Sequence, residues 1–214
     1  MKISLISMDP INGSLGLRII SSCLKKKGHA VQMVFLIPDG RFECDAPLSV
    51  KISKQLNELV KSSDIIGISC LTNEAKACVQ TINHIKKSGK LIVWGGLHAT
   101  TCPEECIKHA DIVCVGEGEE AFCELVESIE SRSYHHDIKN FWFNEGGRII
   151  KNPLRPLIHD LDSLSTPDYE PDSHYAAQNN AIINAGPLYE KFSYALVISI
   201  RGCTIFNKCI LHLC

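Results

Sequence analysis

The chain has 214 residues, with 22 basic against 24 acidic side chains and a net charge of −2. It is long enough for one sizeable α/β core and carries no basic excess with which to grip nucleic acid. The first apolar run, MKISLISM, is broken at Asp9-Pro10, far short of the ~20 residues of a membrane span, so neither leader nor anchor is expected and the cytoplasm is the expected compartment.

Apolar strand-like runs then alternate with amphipathic stretches. Lys2 to Met8 reads as a first strand. The following helix places Leu15, Ile19, Ile20 and Leu24 on one face and stops at Gly28. HAVQMVFLI is a second strand, residues 48–62 a helix, and DIIGISCL a third strand. NEAKACVQTINHIKKSG is a helix ended by Gly89, KLIVWGG a fourth strand, and PEECIKHA a short helix with Pro103 in its first turn. DIVCVGEGE is a fifth strand and EEAFCELVESIES the closing helix. Strands separated by helices call for parallel pairing, because each parallel pair needs a crossover. The expected fold is α/β: a flavodoxin-like, doubly wound, five-stranded parallel sheet in the order 2-1-3-4-5 over residues 1–132.

Residues 133–192 differ in character. NFWFNEGGRIIKNP predicts a β-hairpin around Glu-Gly-Gly, and LRPLIHDLDSLSTPDYEPDSHY, rich in Pro, Asp and Ser, predicts an ordered linker. Tyr194 to Ile200 is a last apolar run, expected as the opening strand of an incomplete barrel domain over 193–214.

In a doubly wound sheet, ligands gather beyond the carboxyl ends of the strands, near the switch point. The turns leaving those ends carry Asn12 and Ser14 after strand one, and Ser69, Leu71 and Thr72 after strand three. Gly95, Gly96 and His98 follow strand four, and Gly116, Glu117 and Gly118 follow strand five. Small residues there let a large ligand approach the backbone. Each signal alone also fits an ordinary turn or a helix start; together they define one candidate rim.

The order Ser69-x-Leu71, Gly95-Gly96-x-His98-Ala-Thr, Pro103-Glu104-Glu105 and Gly116-Glu117-Gly118-Glu119 resembles the N-terminal cobalamin-binding domain of cobalamin-dependent radical S-adenosylmethionine (SAM) enzymes. The segment Asn152 to Tyr169 is similar to the linker that joins the two domains of that family. The resemblance implies cobalamin as ligand, lying across the carboxyl edge with its nucleotide tail between strands. Related domains place a histidine under cobalt from an Asp-x-His-x-x-Gly loop. Here the loop starts at Asp9 and Ile11 stands in the histidine's position, so a cobalt without a protein histidine is expected.

Eleven cysteines are present. Cys23, Cys44, Cys70, Cys78, Cys102, Cys106, Cys114 and Cys123 are scattered and expected to be buried thiols in a reducing compartment. Cys203, Cys209 and Cys214 cluster instead. Three thiolates can hold a 4Fe-4S cluster with one iron open, and Ser199-Ile-Arg201-Gly202-Cys203 resembles the first cluster loop of radical SAM enzymes, where that iron binds SAM. The spacing is five and four residues where the family has three and two, which opposes convergence of the sulfurs on one cluster; a zinc site with His212 is the competing reading. The expectation is therefore the cobalamin-binding N-terminal region of a radical SAM enzyme, cut short before its catalytic barrel and inactive by itself. The alternatives are a stand-alone cobalamin carrier or sensor, and a flavodoxin-like structural domain that has lost its cofactor.

Overall fold

A computed structural model describes residues 1–37, 48–133 and 136–190. The apolar run from Tyr194 to Ile200, Cys203, Cys209, His212 and Cys214 lie outside the described residues, as do Cys44, Tyr134 and His135.

The parallel centre consists of β1 (Lys2–Ser7), β2 (Ala30–Phe35), β3 (Ile65–Ser69), β4 (Leu91–Gly95) and β5 (Ile112–Cys114), in the spatial order 2-1-3-4-5 expected from the sequence. The crossovers use α1 (Leu15–Lys26), α2 (Val50–Val60), α3 (Ala75–Ile85), the short α4 (Leu97–Thr101) and α5 (Pro103–Cys106), with α6 (Glu119–Glu130) after β5. Alternation along the strands feeds two cores. Ile3, Leu5 and Met33 pack beneath α1 and α6, against Leu17, Leu24, Phe122 and Leu125. Ile6, Val34, Ile66 and Ile68 pack on the other face, against Leu56, Val60, Ile82 and Ile85 of α2 and α3. Each such aliphatic side chain contributes about 1.5–3 kcal/mol on burial.

Local chemistry fixes the helix ends. Ser49 Oγ accepts the Ile52 amide at 3.1 Å and starts α2. Lys25 and Lys26 end α1, and Glu119 and Glu120 begin α6, each sign matched to the helix dipole. At Gly67 a Cβ would stand 2.8 Å from Leu5 Cδ2 and 3.2 Å from Phe122 Cε2; the bare backbone lets the Phe122 ring lie on the sheet.

The sheet is wider than the sequence predicts: nine strands among the described residues, in the order β7-β6-β5-β4-β3-β1-β2-β8-β9. The expected hairpin, β6 (Phe141–Glu145) and β7 (Arg148–Lys151), turns at Gly146 and Gly147, both at positive φ, and pairs antiparallel with β5. The region read as linker holds a second hairpin, β8 (His174–Gln178) and β9 (Ala181–Asn184), before the short α7 (Gly186–Tyr189). It turns at Asn179 and Asn180, with φ of 48° and 59°, and β8 joins β2 in parallel. The hairpins thus cover both edges of the parallel sheet, which would otherwise expose unpaired backbone. The 97–101 segment, expected as a loop, is the helical turn α4.

Seven scattered cysteines are described and none is disulfide-bonded. Burial pushes the thiols of Cys114 and Cys123 up to about 12, so they behave as small core hydrophobes.

Candidate functional site

The four turns adjoin along one rim, tied in strand order by hydrogen bonds. The Met8 amide donates to the Ser69 carbonyl at 3.0 Å, the His98 amide to the Cys70 carbonyl at 3.3 Å, and the Gly116 amide to Thr100 Oγ1 at 3.0 Å. Ser69 and Gly96 come closest. Gly96 has φ +93°, and a Cβ there would fall 2.4 Å from Ser69 Oγ and 3.1 Å from the Cys70 carbonyl oxygen. Only glycine permits both the torsion and the contact. Gly95 ends β4 beside Ser69, its register partner on β3.

The first turn is held from within. The Gly13 amide closes a turn on the Pro10 carbonyl at 2.8 Å, and Ser14 adopts a left-handed conformation with φ 59°. Its hydroxyl donates to Asp9 Oδ2 at 3.1 Å and meets the Ser7 hydroxyl. Ile11 is only 1 % exposed and belongs to the core under α1 and α6. Asn12 lies in the same turn.

Across the switch point, Asp9 faces Glu74, which follows Thr72 in a 3₁₀ turn. Glu74 is fully buried, and its Oε2 accepts the Leu71 amide at 2.9 Å. Among the described residues no donor reaches Glu74 Oε1 or Asp9 Oδ1, so a proton held between the two carboxyls is what can join them. Burial, only partly offset by the Leu71 amide and reinforced by the Asp9 charge, pushes Glu74 up to about 7. Burial raises Asp9 as well, against the Ser14 hydrogen bond. Two adjacent carboxyls in such a site hold a proton that isolated carboxylates would lose.

On the β5 side, Gly116 has φ +85°, and a Cβ at Gly118 would touch Cys114 Sγ and Ile20 Cδ1, each at 3.3 Å. The Glu117 carbonyl accepts Asn140 Nδ2 at 2.7 Å, and its carboxylate accepts the Ile158 amide at 2.7 Å, which fastens the linker beside the rim. Leu71 and Leu97 are 41 % and 46 % exposed, so the turns after β3 and β4 present apolar surface as well as glycine backbone. His98 is set apart from the others: it is 3 % exposed, and its ring packs against Trp94 with centroids 5.7 Å apart.

The support of the first turn comes from residues far apart in the sequence. Arg18, fully buried in α1, donates from Nε to the Gly13 carbonyl at 3.1 Å, from one terminal nitrogen to the Ile11 carbonyl, and from the other to the Asp168 carbonyl at 2.7 Å and the Tyr189 hydroxyl at 3.1 Å. It stacks over Tyr169 and Phe35 at 4.3 and 4.8 Å. The Asp168 carboxylate takes Ser21 Oγ at 2.6 Å, Lys25 Nζ at 2.8 Å and His174 Nε2 at 3.2 Å. Burial would raise this carboxyl; the bonds from His174, Lys25, Ser21 and the Glu170 amide outweigh it and hold it well below the usual carboxylate range. Burial lowers His174 against the pull of Asp168. An arginine inside the apolar stripe LGLRII was the available signal.

A corrin would fit this rim: small residues would let a flat macrocycle approach the backbone, and exposed Leu71 and Leu97 would meet its apolar face.

The B12 binding domain family matches residues 1–126. An uncharacterized methyltransferase of Pyrococcus horikoshii is 29 % identical over 199 residues, covering 88 % of this chain and 38 % of its own length. The bacteriochlorophyllide d C-8(2)-methyltransferase of Chlorobaculum tepidum is 34 % identical over 80 residues, 36 % of this chain and 18 % of that protein. The chain thus spans well under half the length of these relatives. Among solved structures, the radical SAM methyltransferase TsrM of Kitasatospora setae, with cobalamin and a [4Fe-4S] cluster bound, matches with a TM-score of 0.59 at 15 % identity, over 79 % of this chain and 32 % of that one. The cobalamin-dependent SAM radical enzyme OxsB, with aqua-cobalamin and SAM bound, matches with a TM-score of 0.60 at 17 % identity, over 78 % and 24 %. The chain belongs to the B12 binding domain family, and the folds it shares are those of cobalamin-dependent radical SAM enzymes.

Proposed function

We propose that this chain is the cobalamin-binding region of a radical SAM enzyme of the methyltransferase type. The observation that carries this is the convergence of the turns after β1, β3, β4 and β5 on one rim, with Gly96 closed down on Ser69 and Leu71 and Leu97 left exposed. Cobalamin, when bound, supplies a cobalt that can carry a methyl group. Asn12, Ser14, Ser69, Leu71, Thr72, Gly95, Gly96, Gly116, Glu117 and Gly118 would line its site. Ile11 leaves the cobalt without a histidine from this turn. Arg18 acts at one remove by fixing the carbonyls of Ile11 and Gly13, and so the shape of the turn.

A 4Fe-4S cluster and SAM belong to the whole enzyme. The spacing of Cys203, Cys209 and Cys214 departs from the family's and opposes convergence on one cluster, so this chain is expected to yield no 5′-deoxyadenosine after anaerobic iron-sulfide reconstitution. The test of the main reading is retention. Protein mixed with hydroxocobalamin and desalted should keep the corrin absorbance, whereas Leu71→Asp, which puts a charge on the exposed apolar part of the rim, should lose it while remaining folded by circular dichroism. A colourless wild-type protein would overturn the assignment and favour a domain that has lost its cofactor.

A further inference from the structure

The exposed apolar side chains of the domain are not scattered. Of the five large hydrophobics exposed among the described residues, two are the rim leucines Leu71 and Leu97, and two are Leu154 and Leu157 of the linker, 44 % and 63 % exposed. Leu154 reaches the rim itself: a Cβ at Gly116, in the turn after β5, would lie 4.0 Å from Leu154 Cδ2. That turn is tied to the one after β4 by the Gly116 amide on Thr100 Oγ1. Exposed apolar groups thus occur from the turn after β3 to the linker beside β5.

The linker is fixed where it carries these leucines. Asn140, buried just before β6, donates its amide to the Pro153 carbonyl at 3.0 Å and accepts the Arg155 amide on Oδ1 at 2.6 Å. Its Nδ2 donates to the Glu117 carbonyl, and the Glu117 carboxylate accepts the Ile158 amide. The Arg155 guanidinium turns onto α6, where it pairs with Glu120 at 3.6 Å and with Glu124. Pro153 and Pro156 have a fixed φ and no N–H to satisfy. Between these anchors Leu154 and Leu157 are left facing water. A leucine held in water adds little burial to the fold, but one already fixed in place costs a ligand little ordering entropy.

We propose that Leu154 and Leu157 form a linker wall of the cobalamin site, meeting the methyl-bearing periphery of the corrin beside Gly116. The inference rests on the cobalamin reading of the rim and adds to it a segment outside the matched family domain. Asn140 and Glu117 are positioning residues for this wall, acting through the backbone of residues 153–158.

The test is titration of the full chain with hydroxocobalamin, followed by equilibrium dialysis and by ¹H–¹³C methyl spectra. In the wild type the Leu154 and Leu157 methyl signals should shift together with those of Leu71 and Leu97, while Ile129, in the last turn of α6, stays fixed. Leu154→Ser and Leu157→Ser change exposed side chains, so the thermal melt should stay as in wild type, and each should raise the Kd about tenfold. Leu154→Met and Leu157→Met, which keep the apolar surface, should bind like wild type. Wild-type affinity in both serine variants, or Leu154 and Leu157 signals that stay fixed while the rim leucines shift, would overturn the linker wall and leave the rim reading standing. A wild-type protein that binds no hydroxocobalamin would overturn both.

Discussion

Replacing Glu74 by glutamine should remove a pH dependence of stability that the native fold builds in. Glu74 is fully buried beside Asp9, with Oε1 given no donor by the described residues and Oε2 on the Leu71 amide. Its carboxyl is pushed from the ordinary 4.5 to about 7. Because the native value is the higher one, the folded protein binds a proton that the unfolded chain releases. The associated stability is fully present below about 4.5 and is lost as the pH rises through about 7. At 1.36 kcal/mol per pH unit, that interval corresponds to about 3 kcal/mol. Glutamine at position 74 keeps the shape, can still accept the Leu71 amide, can donate to Asp9 Oδ1, and does not titrate. Urea unfolding of both proteins between pH 4.5 and 8 provides the assay. The advantage of Glu74→Gln over wild type should grow by about 3 kcal/mol across that range, and subtracting one curve from the other cancels the titrating groups that do not touch Glu74. Parallel curves would refute the buried-proton account of the switch point.

Three further outcomes follow from the packing. Gly67→Ala should cost about 1–3 kcal/mol in denaturant unfolding, because the new methyl meets Leu5 and Phe122 at 2.8 and 3.2 Å. Asp168→Ala should cost about 3 kcal/mol at neutral pH, since it removes the carboxylate that buried Ser21 and His174 face, while the half-buried Lys25 keeps Glu170 and Ser173. Asp168 is held below its ordinary value of 3.8, so its contribution is present above that pH and lost as the pH falls below it; the penalty in urea titrations should shrink toward strong acid. Asn180→Val should cost about 1–2 kcal/mol, whereas Asn180→Gly is tolerated, because φ is 59° in the turn of the second hairpin. A thermal melt of each pair separates the two.

Much of the rim was legible as sequence. Ser69, Gly95 and Gly96 stand directly at strand ends and Gly116 and Gly118 in the turn after β5, and these ends are readable because the buried strands are short apolar runs closed by small residues. The second hairpin was harder to see. HYAAQNNAIIN has modest apolar content and one turn of two asparagines, and its strands are stabilised by joining β2 and by Gln55, whose Oε1 accepts the Ile182 amide at 2.9 Å. Such pairing partners lie more than a hundred residues away and leave no local periodicity. His98 shows the same limit in reverse: a polar residue after Gly-Gly reads as part of an exposed loop, yet α4 turns its ring onto Trp94.

By itself the sequence determined the order of the five parallel strands, because alternating apolar runs and amphipathic helices admit few right-handed crossovers. It also placed glycine where the chain must turn at the carboxyl ends. The tertiary structure alone decided that Arg18 would carry the first turn and that Asp9 and Glu74 would meet. Those relations depend on how distant segments pack, and burial changes the chemistry of a carboxyl or an imidazole in ways that its neighbours in the chain do not reveal.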